Sequence, residues 1–174
     1  HLEQEIPVVQ PSQAYEQVPQ LFWNCGDSCP RRFLYAGGGD LERPLAGRAA
    51  AYADIEGDGD LDILVTQVGA APILLRNDQK TGHRWLRVRL EQDNPNRAAI
   101  GATVRLETGD ISQEQSIMPS RGYQSQVMPA AVFGLGTDLE PAEVVVTWPD
   151  DTESRHPVTG LNREMIIRRG PVGQ

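Results

Sequence analysis

The sequence predicts an all-β protein in which short antiparallel strands form a sandwich or a barrel-like domain. Apolar and polar residues alternate at period two in several runs, as they do in strands with one buried face. Turn-forming residues separate these runs, and long helical periodicity is hard to find. Several short strands at such spacing are typical of antiparallel sandwiches and barrels. We therefore expect sheets to organise the chain.

Four short runs in the first half have the residue composition of strands. They cover residues 21–23, 48–53, 62–66 and 73–75. A glycine-rich loop at residues 36–40 and a cluster of acidic residues separate these runs. Residues 1–20 contain three prolines and no clear period, so we expect an extended arm or the remnant of a preceding unit there.

The second half contains the clearest strand patterns. Leu86, Val88 and Leu90 alternate with charged residues, which predicts a strand with one apolar face. Comparable strand patterns recur at residues 102–107, 144–148 and 165–167. Turn residues fall at 93–96, 108–110, 134–136 and 148–151, and we expect a turn at each of these places.

A polar, turn-forming segment at residues 77–82 predicts the boundary between two modules. The first module, residues 1–80, would contain the N-terminal arm and the strands around the acidic cluster. The second, residues 81–174, would be the antiparallel domain. The length of 174 residues fits two small domains. Because the chain begins with His1 and has no apolar leader segment, we interpret it as a processed product or a fragment.

The charge of the chain argues against some classes of partner. Sixteen basic and 24 acidic residues give a formal net charge of −8, whereas nucleic-acid binding favours clustered Lys and Arg. No apolar run approaches the roughly 20 residues that cross a bilayer, so we expect no transmembrane segment. Five of the 24 acidic residues fall between residues 54 and 62, so much of the excess charge belongs to one segment.

Two cysteines, Cys25 and Cys29, lie in a turn-rich stretch. Together with three scattered histidines, they do not have the spacing of a zinc site. A disulfide that closes this short loop in an oxidising compartment and a pair of free thiols are the two alternatives.

The acidic segment has the pattern of a cation-binding loop. Side-chain oxygens recur at every second position, at Asp54, Glu56, Asp58, Asp60 and Asp62. Gly57 and Gly59 lie between them, and a residue without Cβ can take the positive φ that a sharp turn needs. Ca²⁺ takes about six to eight oxygen ligands, so the spacing predicts that these five residues bind calcium. Asp60 would contribute its backbone carbonyl.

The alternative is a solvated acidic turn between two strands. Five carboxylates within nine residues repel one another, and without a counterion this repulsion destabilises the fold. Val65 stands where a helix-loop-helix calcium site has a bidentate Glu, so the loop is not an EF-hand. The absence of His and Cys from the segment favours Ca²⁺ over zinc or copper, and Mg²⁺ is the weaker choice because it keeps its waters.

Two sets of motifs resemble known families. Residues 47–63 (GRAAAYADIEGDGDLDI) resemble the calcium-loop repeat of FG-GAP/VCBS propeller proteins. Five later motifs, in order, look like those of the ASPIC/UnbV domain: 83–88 (HRWLRV), 96–102 (NRAAIGA), 122–126 (GYQSQ), 133–136 (FGLG) and 146–149 (VTWP). The resemblance covers nearly everything from Leu21 to Gly170 and implies a terminal propeller-type blade followed by an ASPIC/UnbV domain of a secreted protein.

The chain departs from these patterns at three positions. Glu56 stands where the calcium repeat usually has Asp or Asn, and Val132 where the ASPIC/UnbV pattern often has His. Asp151 follows the last motif where Gly is commoner. Only one complete calcium loop is present, whereas a propeller typically has about four to eight blades. We therefore expect further blades upstream or in a partner chain.

No catalytic constellation is visible, and we predict that the chain is not an enzyme. It lacks a nucleophile-elbow motif, and we interpret His83 and His156 as surface or capping residues. No helical pattern follows the glycine run at residues 37–39, which argues against a phosphate cradle. Trp85 and Trp148 have strand patterns that favour burial in the core over a role in stacking on sugars.

These observations lead to one functional hypothesis and one alternative. We expect a calcium-binding extracellular or cell-surface interaction or adhesion module, the C-terminal fragment of a longer propeller protein, that binds a protein or glycan partner. It would be secreted, periplasmic or at the cell surface, and calcium would be its one cofactor. The alternative is an accessory or docking domain of a larger secreted enzyme or surface complex.

Overall fold

The computed structural model describes residues 4–24, 33–109, 111–138 and 140–170. These residues form fourteen strands, a four-residue α-helix and a short 3-10 helix, so the all-β prediction is confirmed. Among these described strands, no sheet closes into a barrel and no ring of propeller blades is present. Cys25 and Cys29 lie outside the described residues. A disulfide and a pair of free thiols therefore remain the two alternatives.

Contacts along the chain divide it into two compact units. The first comprises the described residues of 1–52, 62–76 and 122–125, and the second those of 53–61, 77–121 and 126–174. Residues 53–61, most of the acidic loop, therefore group with the second unit. The division into modules 1–80 and 81–174 stays a prediction.

The first unit contains two small sheets. Its elements are α1 (Ile6–Val9), β1 (Phe22–Asn24), β2 (Phe33–Tyr35), a 3-10 helix (Gly39–Glu42), β3 (Gly47–Ala53), β4 (Asp62–Gln67) and β5 (Ile73–Leu75). β1 and β2 form an antiparallel pair, and the other sheet has the order β3-β4-β5. All four strands predicted for the first half are present. The expected arm is not extended throughout, because residues 6–9 form the short helix α1. Pro7 is compatible with this helix because it lies in the first turn.

The second unit contains two larger sheets. Its strands are β6 (Arg84–Gln92), β7 (Thr103–Thr108), β8 (Ile111–Ser116), β11 (Ala130–Gly136), β12 (Glu143–Thr147), β13 (Glu153–Pro157) and β14 (Arg163–Arg169). Two short strands between β8 and β11, β9 (Ser120–Gly122) and β10 (Ser125–Gln126), have residues in both units. One sheet has the order β11-β6-β14, in which β6 is antiparallel to β11 and parallel to β14. The other has the antiparallel order β13-β12-β7-β8, and β9 and β10 form a separate pair.

One apolar core draws on both of these larger sheets. The alternation predicted for β6 is confirmed, because Leu86, Val88 and Leu90 are at most 1% exposed. β7, β11 and β12 contribute buried residues in the same way, and Phe133 of β11 is the largest fully buried side chain. Burial of apolar surface from two sheets is the main stabilising contribution in such a unit.

The turn predicted at residues 134–136 is wrong. Gly134, Leu135 and Gly136 are the last residues of β11, and Leu135 is 1% exposed in the core. The two glycines mark a shift of register against β6 between Gly134 and Gly136. Glycine within a strand often accompanies such a bulge, so its presence here did not signal a chain reversal.

Candidate functional site

The acidic loop connects β3 to β4 and is shaped by its two glycines. Gly57 and Gly59 adopt positive φ angles of +78° and +96°. A Cβ atom on Gly59 would lie 2.1 Å from ring atoms of Trp85, which follows Arg84 at the start of β6. Gly59 therefore meets two requirements at once, a left-handed backbone and close packing on an indole ring.

Asp54, the first predicted ligand, holds the backbone of the loop together. Its Oδ1 accepts hydrogen bonds from the amides of Gly57 and Asp58, at 2.6 and 3.1 Å. Its Oδ2 accepts one from the amide of Gly59, at 3.0 Å. Aspartate commonly fixes turns by accepting hydrogen bonds from amides a few residues later. The Asp54 side chain thus explains the local fold of the loop without a bound ion.

Arg87 pairs with Asp54. From the polar face of β6, Arg87 Nη2 donates to Asp54 Oδ2 in an ion pair whose side chains are 12% and 0% exposed, respectively. The guanidinium also lies 5.4 Å from the centroid of the Trp85 ring. The sequence did not identify Arg87 as part of this site, because alternation places it on the polar face of a strand but does not indicate which carboxylate it contacts.

The other four predicted ligands are distributed around the loop. Glu56 and Asp58 are exposed, and Asp58 Oδ1 accepts a hydrogen bond from the amide of Asp60 at 3.1 Å. Asp62 is 2% exposed and begins β4. Within the described ranges, no group of three His, Cys, Asp or Glu side chains is arranged to hold a metal ion. The side chains of the five acidic residues offer only oxygen atoms, which hard cations prefer. One of these carboxylates, that of Asp54, is already paired with Arg87.

Exposed aromatic side chains are concentrated on the β1–β2 pair of the first unit. Phe22, Trp23, Phe33 and Tyr35 are each between 51% and 59% exposed. The Phe22 and Tyr35 rings pack edge to face, with centroids 6.0 Å apart. By contrast, Trp148 is 3% exposed and belongs to the core, as the sequence predicted. Clustered exposed aromatics are a feature of interaction surfaces.

The two internal histidines have different surroundings. His156 Nε2 lies 2.9 Å from Ser154 Oγ, which also accepts a hydrogen bond from Trp148 Nε1 at 2.8 Å. Burial lowers the pKa of His156, and the nearby Glu143 opposes this shift. His83 is exposed, and its backbone amide donates to Thr81 Oγ1 at 3.2 Å. The Ser154–His156 contact belongs to a network that orients Trp148.

Helices in the described part of the chain are too short to span a membrane.

Comparison with known proteins finds that residues 92–173 match the family described as ASPIC and UnbV. The chain is 35% identical over 117 residues to cartilage acidic protein 1 of Mus musculus, a match that covers 65% of this chain and 18% of the relative.

The same protein from two further species gives similar values. Cartilage acidic protein 1 of Homo sapiens is 35% identical over 117 residues, covering 65% of this chain and 17% of the relative. That of Xenopus tropicalis is 34% identical, with 64% and 18% covered. The chain thus spans less than a fifth of the length of these curated relatives. The ASPIC/UnbV part of the predicted resemblance is confirmed, the FG-GAP/VCBS part stays a prediction, and residues 92–173 are similar to the ASPIC and UnbV family.

Proposed function

We propose that the chain is a calcium-binding extracellular interaction module, the C-terminal part of a longer propeller protein. The observation that carries this proposal is the acidic loop. Its five oxygen-bearing residues stand at alternate positions, and two glycines with positive φ turn its backbone. Such a segment offers a hard cation only oxygen ligands, which is the chemistry that Ca²⁺ prefers.

In this proposal Asp54, Glu56, Asp58, Asp60 and Asp62 hold the ion. Bound calcium supplies positive charge that offsets the repulsion among the clustered carboxylates. Asp54 shares its charge with Arg87, so the loop keeps one internal counterion in the absence of metal. Glu56 and Asp58 are exposed, so their carboxylates are accessible to a cation from the solvent.

The proposed partner is a protein or glycan at the cell surface. The exposed aromatic side chains of β1 and β2 offer flat apolar surfaces, which suit both classes of partner. The relatives are named for cartilage, which favours an extracellular location for this chain as well. The relatives are also much longer than this chain, in keeping with further blades upstream.

Thermal unfolding of the full chain tests the calcium proposal. With excess Ca²⁺ instead of chelator, the unfolding midpoint should rise, because the ion binds the folded loop. At about one hundred times Kd, the expected stabilisation is about 2.7 kcal/mol, or roughly 5–10 °C in a chain of this length. Asp58→Ala should lose most of this shift.

Asp138→Ala is the matched control, since Asp138 is an exposed aspartate in a turn outside the loop. It should keep the calcium-dependent shift of the wild type. An unchanged midpoint in wild type on addition of calcium, or equal shifts in both variants, would mean that the loop is an acidic turn without a specific metal site.

A further inference from the structure

A pocket at one end of the β11-β6-β14 sheet carries an unusual concentration of positive charge. It has a volume of about 620 Å³ and lies where β6 and β14 end and β11 begins. Four of the sixteen basic residues of the chain line it, namely Arg89, Arg97, Arg168 and Arg169. Two acidic residues, Glu91 and Asp93, also line it, so the formal charge of the lining is 4 − 2 = +2.

Three of these arginines lie on the paired strands β6 and β14, and each forms an ion pair. β6 and β14 run parallel, with Arg168 beside Glu91 in the register. Arg89 Nη1 and Arg168 Nε donate to the two oxygens of Glu91, at 2.6 and 2.7 Å. Arg89 also pairs with Glu164, with Nε and Oε2 3.4 Å apart, so two carboxylates balance the charge of these two guanidinium groups. Arg169 is committed elsewhere, because it pairs with Asp150 at 2.8 Å.

The fourth arginine lies on a loop that other residues hold in place. The Gln92 backbone amide donates to the carbonyl of Arg97 at 3.0 Å, and Gln92 Nε2 donates to the carbonyl of Asn96 at 2.7 Å. The Asn96 side chain bonds both backbone groups of Ile100, each at 2.9 Å. Ala99 is fully buried with a φ of +49°, which anchors the loop to the core.

This anchoring leaves the Arg97 side chain available. Arg97 is exposed, and within the described residues its guanidinium makes no ion pair or hydrogen bond. Asp93 also lines the pocket, but it does not pair with Arg97. An arginine side chain presents several donors in a planar fork that matches carboxylate, sulfate and phosphate oxygens. Among the residues that the structure describes, none supplies an acceptor for the Arg97 guanidinium, which lies at the edge of the cavity.

We propose that this pocket binds a small ligand through its oxyanion group, with Arg97 and Arg168 as the recognising side chains. Ala98 and Pro129 supply apolar surface for the body of the ligand. The cavity volume falls within the range of small-molecule sites, about 300–1,000 Å³. The proposal is independent of the calcium loop and assigns a use to the 96–102 motif, which the proposed function does not require.

Nuclear magnetic resonance titration of the full chain at constant ionic strength tests the site. The probes are succinate, sulfate and phosphate, and succinamide serves as the neutral analogue of succinate. At least one oxyanion should give saturable shifts in the amide signals of Gln92, Arg97 and Ala98, whereas succinamide should not. The oxyanion that binds most tightly identifies the group that the ligand carries.

Three variants separate a built site from general charge attraction. Arg97→Gln should weaken binding about tenfold or more, because a charge-assisted hydrogen bond is lost. Arg97→Lys, which keeps the charge but not the fork, should fall between wild type and Arg97→Gln. Arg163→Gln makes the same charge change at an exposed position at the other end of β14 and should bind as wild type does. Absence of saturable binding, equal losses in Arg97→Gln and Arg163→Gln, or equal binding of succinamide would overturn the proposal.

Discussion

The two units of the chain differ in how they bury apolar surface. In the described part of the first unit, the buried hydrophobic residues are Leu45, Ala46 and Val65, and the large aromatic side chains of β1 and β2 are exposed. The second unit buries a continuous core drawn from two sheets. Apolar burial is the dominant stabilising contribution in folding, so most of the measurable stability should lie in the second unit.

The largest expected effect tests this contrast with two phenylalanines. Phe133→Ala removes a fully buried ring from β11 and should lower the free energy of unfolding by about 3–5 kcal/mol. Phe33→Ala makes the same change in β2, where the side chain is 57% exposed, and should alter stability by no more than about 0.5 kcal/mol. Urea unfolding of both variants measures the difference. A comparable loss in Phe33→Ala would show that the first unit depends on a buried aromatic contact at that position.

The Asp54–Arg87 ion pair should contribute strongly to the stability of the second unit. Arg87→Gln leaves the buried Asp54 carboxylate without its cationic partner, and stability should fall by about 3 kcal/mol. Arg105→Gln is the matched control, because its ion pair with Glu107 is about one third exposed at both side chains, 31% and 36%. That variant should lose less than about 1 kcal/mol.

Calcium provides a second readout in the same variants. If Asp54 takes part in calcium binding, excess Ca²⁺ should stabilise Arg87→Gln more than wild type, since the ion replaces the lost guanidinium charge. Equal calcium-dependent shifts in the two proteins would separate Asp54 from the proposed metal site. A loss in Arg87→Gln no larger than in Arg105→Gln would mean that the loop does not need this ion pair.

Strands with strong alternation of apolar and polar residues were the most predictable elements of the fold. β6 has apolar residues at every second position, and its location, period and buried face could all be predicted. β8 (ISQEQS) and β13 (ESRHP) lie at the two edges of their sheet and are largely polar, so no apolar period marked them. Edge strands pack less apolar surface than central ones, and their sequences carry a weaker signal.

The residues of the candidate sites were predictable only where they lie close together in the sequence. The five acidic residues of the loop form a pattern within nine positions, and that pattern could be read directly. The Asp54–Arg87 pair spans 33 positions, and the Glu91–Arg168 contact spans 77. The second of these depends on the parallel register of β6 and β14, which no local pattern specifies. Arginine is common on strand surfaces, so composition alone did not single out the pocket.

The smallest expected effect concerns a turn inside the well-packed second unit. Asp151 follows the Trp148–Asp150 turn with a φ of +62°, a left-handed conformation that costs residues with a Cβ more than it costs glycine. Glycine is the commoner residue here in the resembling ASPIC/UnbV pattern, and the backbone geometry supplies the physical reason. Asp151→Gly should therefore raise stability, by at most about 1 kcal/mol.

The control for this variant is Asp138→Gly, in another exposed turn where φ is not positive. There glycine relieves no strain and adds conformational freedom to the unfolded chain, so stability should stay the same or fall. Urea unfolding of both variants distinguishes backbone strain from a general tolerance of glycine in turns. A gain in both would attribute the effect to loss of negative charge, and a loss in Asp151→Gly would mean that its side chain contributes more than the strain costs.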